Sequence, residues 1–489
     1  MHALAIKPTA HIVDVLGNVI GRDQPILRME KALEMVALLG EEIFANENVV
    51  FFDPFCKAGE LLLACAFHSC LAKSKGQTKL LDIDMVMKEI FQSNRYFGLA
   101  PDERHHRLSI RTFLGNEHSH NEKFNHIIRD GHYLSEEDGT LDKEKFEREF
   151  KSMIEYISSK AKNKKVIAVG NPPYSENDNG GNGSGARAIY PYFVESLINA
   201  DIIEKSILVI PSKWFSSGRD LEKFKNKIIN SNHVKSITYF ENSKNVFPTV
   251  NIDGGVCYLN LDKFHNDIPL FFDGLSPDVG SKLDLTGLDI IPDDPKAIPI
   301  LKKVRSKWTG KFISDKSIKG RAFGPRTFYF KRNRAENKPF AGSIGCIGTG
   351  KVKKYIDRSA VTSNQDKIDH YKICVPVVYG GRVGDQKTTL PPHAIWIAEA
   401  GTVVTETYMV VYSSKNKKEV ERVATYLRSD FSRYLFGLRK LTASISWEKW
   451  LWVPLLEMNR DWSDEDLFDF FNFTKEERSH IKRKVKEWS

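Results

Sequence analysis

The chain has 489 residues, more than one ordinary domain holds, and 41% of them are hydrophobic, which excludes a largely disordered protein. No apolar run approaches the ~20 residues needed to span a bilayer, and the opening Met1–Lys7 is too short and polar for a secretory signal, so a cytoplasmic protein is expected. The formal charge of +9 is unevenly spread: Leu301 to Lys354 carries sixteen Lys/Arg against two acids, which leaves the rest of the chain net acidic.

In chain order, residues 1–45 read as mostly helical. Pro25 opens and Gly40 closes a stretch with apolar residues at three- and four-residue spacing. Asn48–Asp53 is a strand, Pro54–Gly59 a tight turn and Leu61–Phe67 the start of a helix, which is the first unit of a doubly wound nucleotide-binding sheet. An acid at the strand end (Asp53) and a glycine in the turn (Gly59) suit a ligand lying against backbone. Arg95–Ala100 and Phe124–Arg129 are two further strands, each with acid just past its end: Asp102 or Glu103, then Asp130. Asp138–Lys165 reads as a charged helical segment, largely solvent-facing by composition.

Val166–Gly170 is a buried parallel strand, and it runs into Asn171-Pro172-Pro173-Tyr174. The two prolines stiffen the backbone and remove two N–H donors, and each pushes the residue before it towards an extended conformation. The Asn171 amide and the Asn171 and Pro172 carbonyls are thereby held at a sheet edge, with the Tyr174 ring beside them. Such a device grips a planar amine. The glycine-rich stretch 177–185 reads as a flap that orders on substrate. Ile189–Ile198 is a helix and Ser206–Pro211 a strand, with Lys213 and Trp214 at its end. Val234–Phe240 is another strand, and Val246–Pro248 with Gly254–Asn260 reads as a hairpin closing the sheet.

From about residue 15 to 260 this order resembles the gamma class of DNA adenine methyltransferases, the TaqI-type enzymes of restriction-modification systems. The resemblance implies an α/β fold: a Rossmann-like sheet with helices on both faces, plus a C-terminal α+β target recognition domain. It implies S-adenosyl-L-methionine as cofactor, no metal, double-stranded DNA as substrate, and admits a cognate restriction endonuclease as partner. By that resemblance Asn171, Pro172, Pro173 and Tyr174 are catalytic. Asp53, Pro54, Phe55 and Gly59 form the cofactor loop, and Asp102 and Asp130 hold ribose and adenine. Phe247 is a second aromatic for the extruded base, and Lys213 and Trp214 lie at the cleft. The sequence departs from the family at Lys57-Ala58-Gly59, where the family has Gly-Ser-Gly, and no Phe-Thr-Pro-like segment is recognisable near Ile20–Asp23.

Residues 269–299, rich in Asp, Gly and Pro, read as a linker between a catalytic domain over 1–268 and a recognition domain over 300–455; a helical tail follows over 456–489. In the basic block, Arg321, Arg326, Lys331, Arg332, Lys351 and Lys353 are the expected phosphate contacts. Gly345–Lys351 nearly spells a P-loop, but Val352 stands where Ser or Thr would bind magnesium, so a glycine-rich DNA-reading loop is expected instead. Val420–Leu438 reads as one helix. Two other readings stay open: a methyltransferase acting on RNA adenine or protein glutamine, and a non-catalytic DNA-binding subunit with a vestigial pocket.

Overall fold

A computed structural model describes residues 26–74, 83–118, 127–135, 137, 139–161, 164–176, 187–216, 221–252, 254–285, 288–331, 334–380, 388–440 and 443–489. The chain divides into two compact units, Met1–Ile291 and Pro292–Ser489. The Ile20–Asp23 segment, the 177–185 stretch and Arg332 lie outside the described residues.

The first unit is built on nine strands: β1 (Val49–Asp53), β2 (Tyr96–Ala100), β3 (Ile128–Asp130), β4 (Lys165–Gly170), β7 (Ile203–Pro211), β8 (Val234–Phe240), β9 (Val256–Asp262), β10 (Leu270–Asp273) and β11 (Ser276–Lys282). A separate ribbon pairs β5 (Ser175–Glu176) with β6 (Arg187–Ala188). The sheet order is β11-β10-β8-β9-β7-β4-β1-β2-β3. The run β3-β2-β1-β4-β7 is parallel, and β9 lies antiparallel between β7 and β8. β1 and β2 are buried along their whole length because helices cover both faces, which is why they are continuous apolar runs rather than alternating ones. From β1 the chain builds outward through β2 to β3 and then returns to place β4 on the other side of β1. The carboxyl ends of β1 and β4 therefore flank the crevice at a topological switch point, where open α/β sheets bind ligands.

Three expectations need correction here. The 269–299 stretch is a linker only in part: residues 270–282 form β10, which pairs with β8, and β11, which pairs with β10, and the boundary between the units falls at Ile291–Pro292. The closing hairpin is formed by β8 and β9; Val246–Pro248 lies in their connection, beside a short 3-10 turn at Ser243–Asn245. The helix Lys143–Lys160 is not solvent-facing throughout: Phe146, Phe150, Met153 and Ile157 make a buried stripe.

The second unit mixes helices with two three-stranded sheets, β13-β12-β16 and β15-β14-β17. These strands are β12 (Ser343–Ile347), β13 (Lys353–Asp357), β14 (Tyr371–Pro376), β15 (Trp396–Ala398), β16 (Thr402–Val404) and β17 (Tyr408–Ser414). The expected helix over 420–438 is two, Lys417–Arg428 and Asp430–Arg439. Ser429 is extended between them and caps the second by accepting from the Ser432 N–H. Helices Asp464–Phe470 and Lys475–Glu487 close the unit, each with a capping box. Among the described residues no helix is long and apolar enough to cross a membrane.

Candidate active site

At the end of β1, Asp53 turns the chain by accepting the Phe55 N–H at 3.0 Å. Gly59 then takes φ 78°, a left-handed conformation that glycine adopts without strain, and the helix Glu60–Lys73 begins. Neighbouring elements hold this loop in place. The Cys56 N–H donates to the Leu99 carbonyl at 3.1 Å, Ser109 Oγ donates to the Lys57 carbonyl at 3.0 Å, and the Tyr133 hydroxyl donates to the Pro54 carbonyl at 2.8 Å. Phe55 points to the other side, edge-on to Phe193 with ring centroids 5.0 Å apart.

Gly170 explains how the Asn171 motif comes so close to this loop. A Cβ at Gly170 would lie 2.7 Å from Phe55 Cδ2, so only glycine fits. Beyond it Asn171, Pro172, Pro173 and Tyr174 are all buried, with Asn171 1% exposed. The Tyr174 carbonyl accepts the Ile189 N–H at 3.1 Å, and its ring meets Phe247 edge-on with centroids 6.2 Å apart at 73°. Phe247 is anchored by its own loop, in which Ser243 Oγ donates to the Val250 carbonyl and accepts the Ile252 N–H.

The carboxyl ends of β1, β2 and β3 each carry an acid. Asp102 is buried and caps its helix, accepting the His105 N–H at 2.9 Å, with His105 Nδ1 2.6 Å from its other oxygen. Burial alone would raise its carboxyl; the His105 contacts outweigh burial and hold it below the usual range. Glu103, by contrast, faces solvent and pairs with Arg107. Asp130 is raised by burial despite its contacts with His132, 3.0 Å from His132 Nε2. Asp53 is raised well above its usual value, first by burial and then by the charge of Glu60.

Two members of this cluster lie beyond the residues singled out from the sequence. Glu60, at the first turn of an otherwise apolar helix, accepts the Leu27 and Ala58 N–H groups at 3.4 and 3.2 Å, and burial raises its carboxyl. Lys57, noted only as a departure from a family pattern, is 1% exposed, with Nζ 5.7 Å from the centre of the Tyr174 ring. Burial pulls its ammonium down to about 8, against the opposing pull of Glu60, Asp53 and Asp102. An acid opening a helix of Leu, Ala and Cys was the available signal for Glu60.

Trp214 is 0% exposed and packs edge-on to Phe224 and Phe215, whereas Lys213 beside it is exposed. In the second unit, Arg326 and Lys351 are exposed on loops that hydrogen bonds tie to one edge. Thr405 N donates to Ile347 O, Glu406 N to Pro325 O, and Lys351 N to the Tyr408 hydroxyl. Lys353 follows on β13, and Arg321 is exposed on a separate turn. Lys331 ends the short helix Phe328–Lys331. Gly348–Lys351 leads into a 3-10 turn and then a strand, so no helix N-terminus stands behind it to hold a phosphate. Part of the basic block is structural: Lys303 pairs with Glu477 at 2.6 Å, and Lys319 lies 3.9 Å from the centre of the Trp447 ring.

Residues 94–247 match the family model described as Eco57I restriction-modification methylase. Over that stretch the chain is similar to restriction-modification methylases. The match takes in Asp102, Asp130, Asn171–Tyr174 and Phe247, and starts after the Asp53 loop. A 95-residue stretch of the chain, 19% of it, is 37% identical to an uncharacterized adenine-specific methylase of Mycoplasma pneumoniae, and covers 22% of that protein. Similar solved structures include the type IIL restriction-modification enzyme MmeI in complex with DNA, at 10% identity and TM-score 0.45 over 98% of this chain and 74% of that one. The M protein of the type I restriction enzyme EcoKI matches at 15% identity and TM-score 0.30, over 48% of this chain and 47% of that one. The matched stretch thus contains the Asn171 motif and two of the three strand-end acids.

Proposed function

We propose that this protein is a site-specific adenine N6-methyltransferase acting on double-stranded DNA, with S-adenosyl-L-methionine as methyl donor, in a restriction-modification or defence setting. The observation that carries the reading is the Asn171–Tyr174 motif at the carboxyl end of β4, across the switch point from the Asp53 loop at the end of β1. The matched family and the Mycoplasma pneumoniae relative support it.

The residues fit the cofactor. Asp102 keeps lone pairs beyond its bonds to His105 and suits a ribose diol, Asp130 suits an adenine amine, and Asp53 and Glu60 suit an ammonium group. When bound, S-adenosylmethionine supplies an electrophilic methyl group on a sulfonium. The chain's own part is positioning. The Asn171 side-chain oxygen and the Pro172 carbonyl accept the two hydrogens of the exocyclic amine and turn its lone pair out of the ring plane. Tyr174 offers a ring face to the base, with Phe247 edge-on beside it. Asn171 is buried and cannot reach a base stacked in a duplex, so the target base must leave the helix, at a cost of a few kcal/mol. Arg326, Lys351 and Lys353 are the backbone contacts we assign to the second unit, with Arg321, Lys331 and Arg332 as further candidates.

Labelled methyl transfer onto duplex DNA, RNA and protein tests the proposal. The expected result is label in duplex DNA adenine, with Asn171→Ala keeping cofactor affinity while losing on the order of 10²–10³ in rate. Label confined to RNA or protein, or full activity in that variant, overturns it.

A further inference from the structure

A buried lysine in the Asp53 loop is chemically out of place beside a cofactor that is itself a cation. Lys57 is almost fully enclosed, and its Nζ lies 5.7 Å from the centre of the Tyr174 ring. Its carbonyl is held by Ser109, so the backbone of the loop is fixed and the ammonium is aimed by the side chain alone. The groups facing it come from three elements: Asp53 at the end of β1, Glu60 on the following helix, and Asp102 at the end of β2. Two further titratable groups face Asp53, the Cys56 thiol and the Tyr133 hydroxyl, and burial raises both well above their usual range. His105 is committed to Asp102.

The inference rests on the methyltransferase reading above. A methyl group passed to an amine lying on Tyr174 must start within a few ångströms of that ring's face. The donor sulfur is then in the neighbourhood that the Lys57 ammonium reaches. Two unit cations there repel each other, and burial leaves little water to screen them. We propose that Lys57 is a charge-sensing specificity residue, whose ammonium over Tyr174 disfavours the sulfonium-bearing donor relative to the uncharged thioether product until that ammonium is neutralised or displaced. A proton bound to Lys57 therefore opposes donor binding and is nearly indifferent to product binding. The ammonium is already poised near pH 8 by its burial.

Titration calorimetry on the full chain tests this, with S-adenosylmethionine and S-adenosylhomocysteine as the two ligands between pH 7 and 9. Both carry an α-amino group, and the donor's sulfonium lowers its pKa relative to the product's, so the readout is the wild-type affinity ratio divided by that of Lys57→Met, in which the ligands' own titration cancels. Divided in this way, donor affinity relative to product affinity should rise about tenfold across the range, as expected for one linked proton near pH 8. Donor binding at pH 7.5 should also release more protons from the wild type than from the variant, read from its dependence on buffer ionisation enthalpy. Lys57→Arg, charged throughout the range, should show the same slope as Lys57→Met and keeps the test if that variant does not fold. Equal slopes and equal proton release in the wild type and the folded variant assign the proton to the ligands or to Asp53 or Glu60 and overturn the proposal. If the wild type binds neither ligand, the cofactor reading itself fails.

Discussion

Tyr174 is buried, yet its hydroxyl makes no hydrogen bond among the described residues, and burial holds it well above the usual tyrosine range. The ring, not the hydroxyl, is therefore the working part. Tyr174→Phe should leave urea-unfolding stability unchanged or up to about 1 kcal/mol higher, and should keep methyl transfer, since no partner loses a bond. Tyr174→Ala should cost about 3 kcal/mol and most of the activity, because it empties the space between Lys57 and Phe247. Residue placement was legible in the sequence where it is local. Asp53, Gly59 and the Asn171 motif could be named from their immediate neighbours because turn and strand-end geometry is set within a few bonds. Trp214 could not be placed. A tryptophan after a strand suits a cleft or a core equally well, and packing against Phe224 on a separate helix put it in the core.

Among the elements, β4 and the Asp53 loop are joined at Gly170. Gly170→Ala would press a methyl into Phe55 Cδ2 at 2.7 Å and Leu208 Cδ2 at 3.1 Å. We expect a loss of about 1–3 kcal/mol in urea unfolding, with methyl transfer falling further than stability, because Asn171 is the next residue. Periodicity and punctuation located most of the strands well. They failed where a composition has two uses. The Asp-Gly turns around 270–282 serve strands β10 and β11 as readily as they would serve a linker. The apolar stripe of the helix Lys143–Lys160 was masked by its many charges. Ser429 looks unremarkable inside a helical pattern, but its extended backbone ends one helix and caps the next.

At the scale of the whole molecule, each unit is closed by contacts between distant parts of the chain. In the second, Asp294 Oδ2 is 2.6 Å from His480 Nε2 and accepts the Tyr434 hydroxyl at 2.7 Å. Burial alone would raise this carboxyl; the His480 and Tyr434 contacts overcome burial and bring it down to about 2. Its folded value lies below the unfolded value of about 3.9, so its contribution is fully present above about pH 4 and is lost as pH falls towards 2. Acid unfolding followed by tryptophan fluorescence should show the second unit weakening over that window. His480→Ala should cost about 3 kcal/mol at neutral pH, because it leaves a buried carboxylate short of a partner.

By itself the sequence determined the α/β class, the position of β1 and β4, the acids at the strand ends and the motif that names a chemistry, because each depends on residues close along the chain. Tertiary structure alone decided that Glu60 and Lys57 are buried against the Asp53 loop, that Trp214 packs against Phe224, and that Asp102 rather than Glu103 turns inward. Those choices depend on which strands become neighbours, and burial sets the charge of a lysine only once the surrounding loops have closed around it.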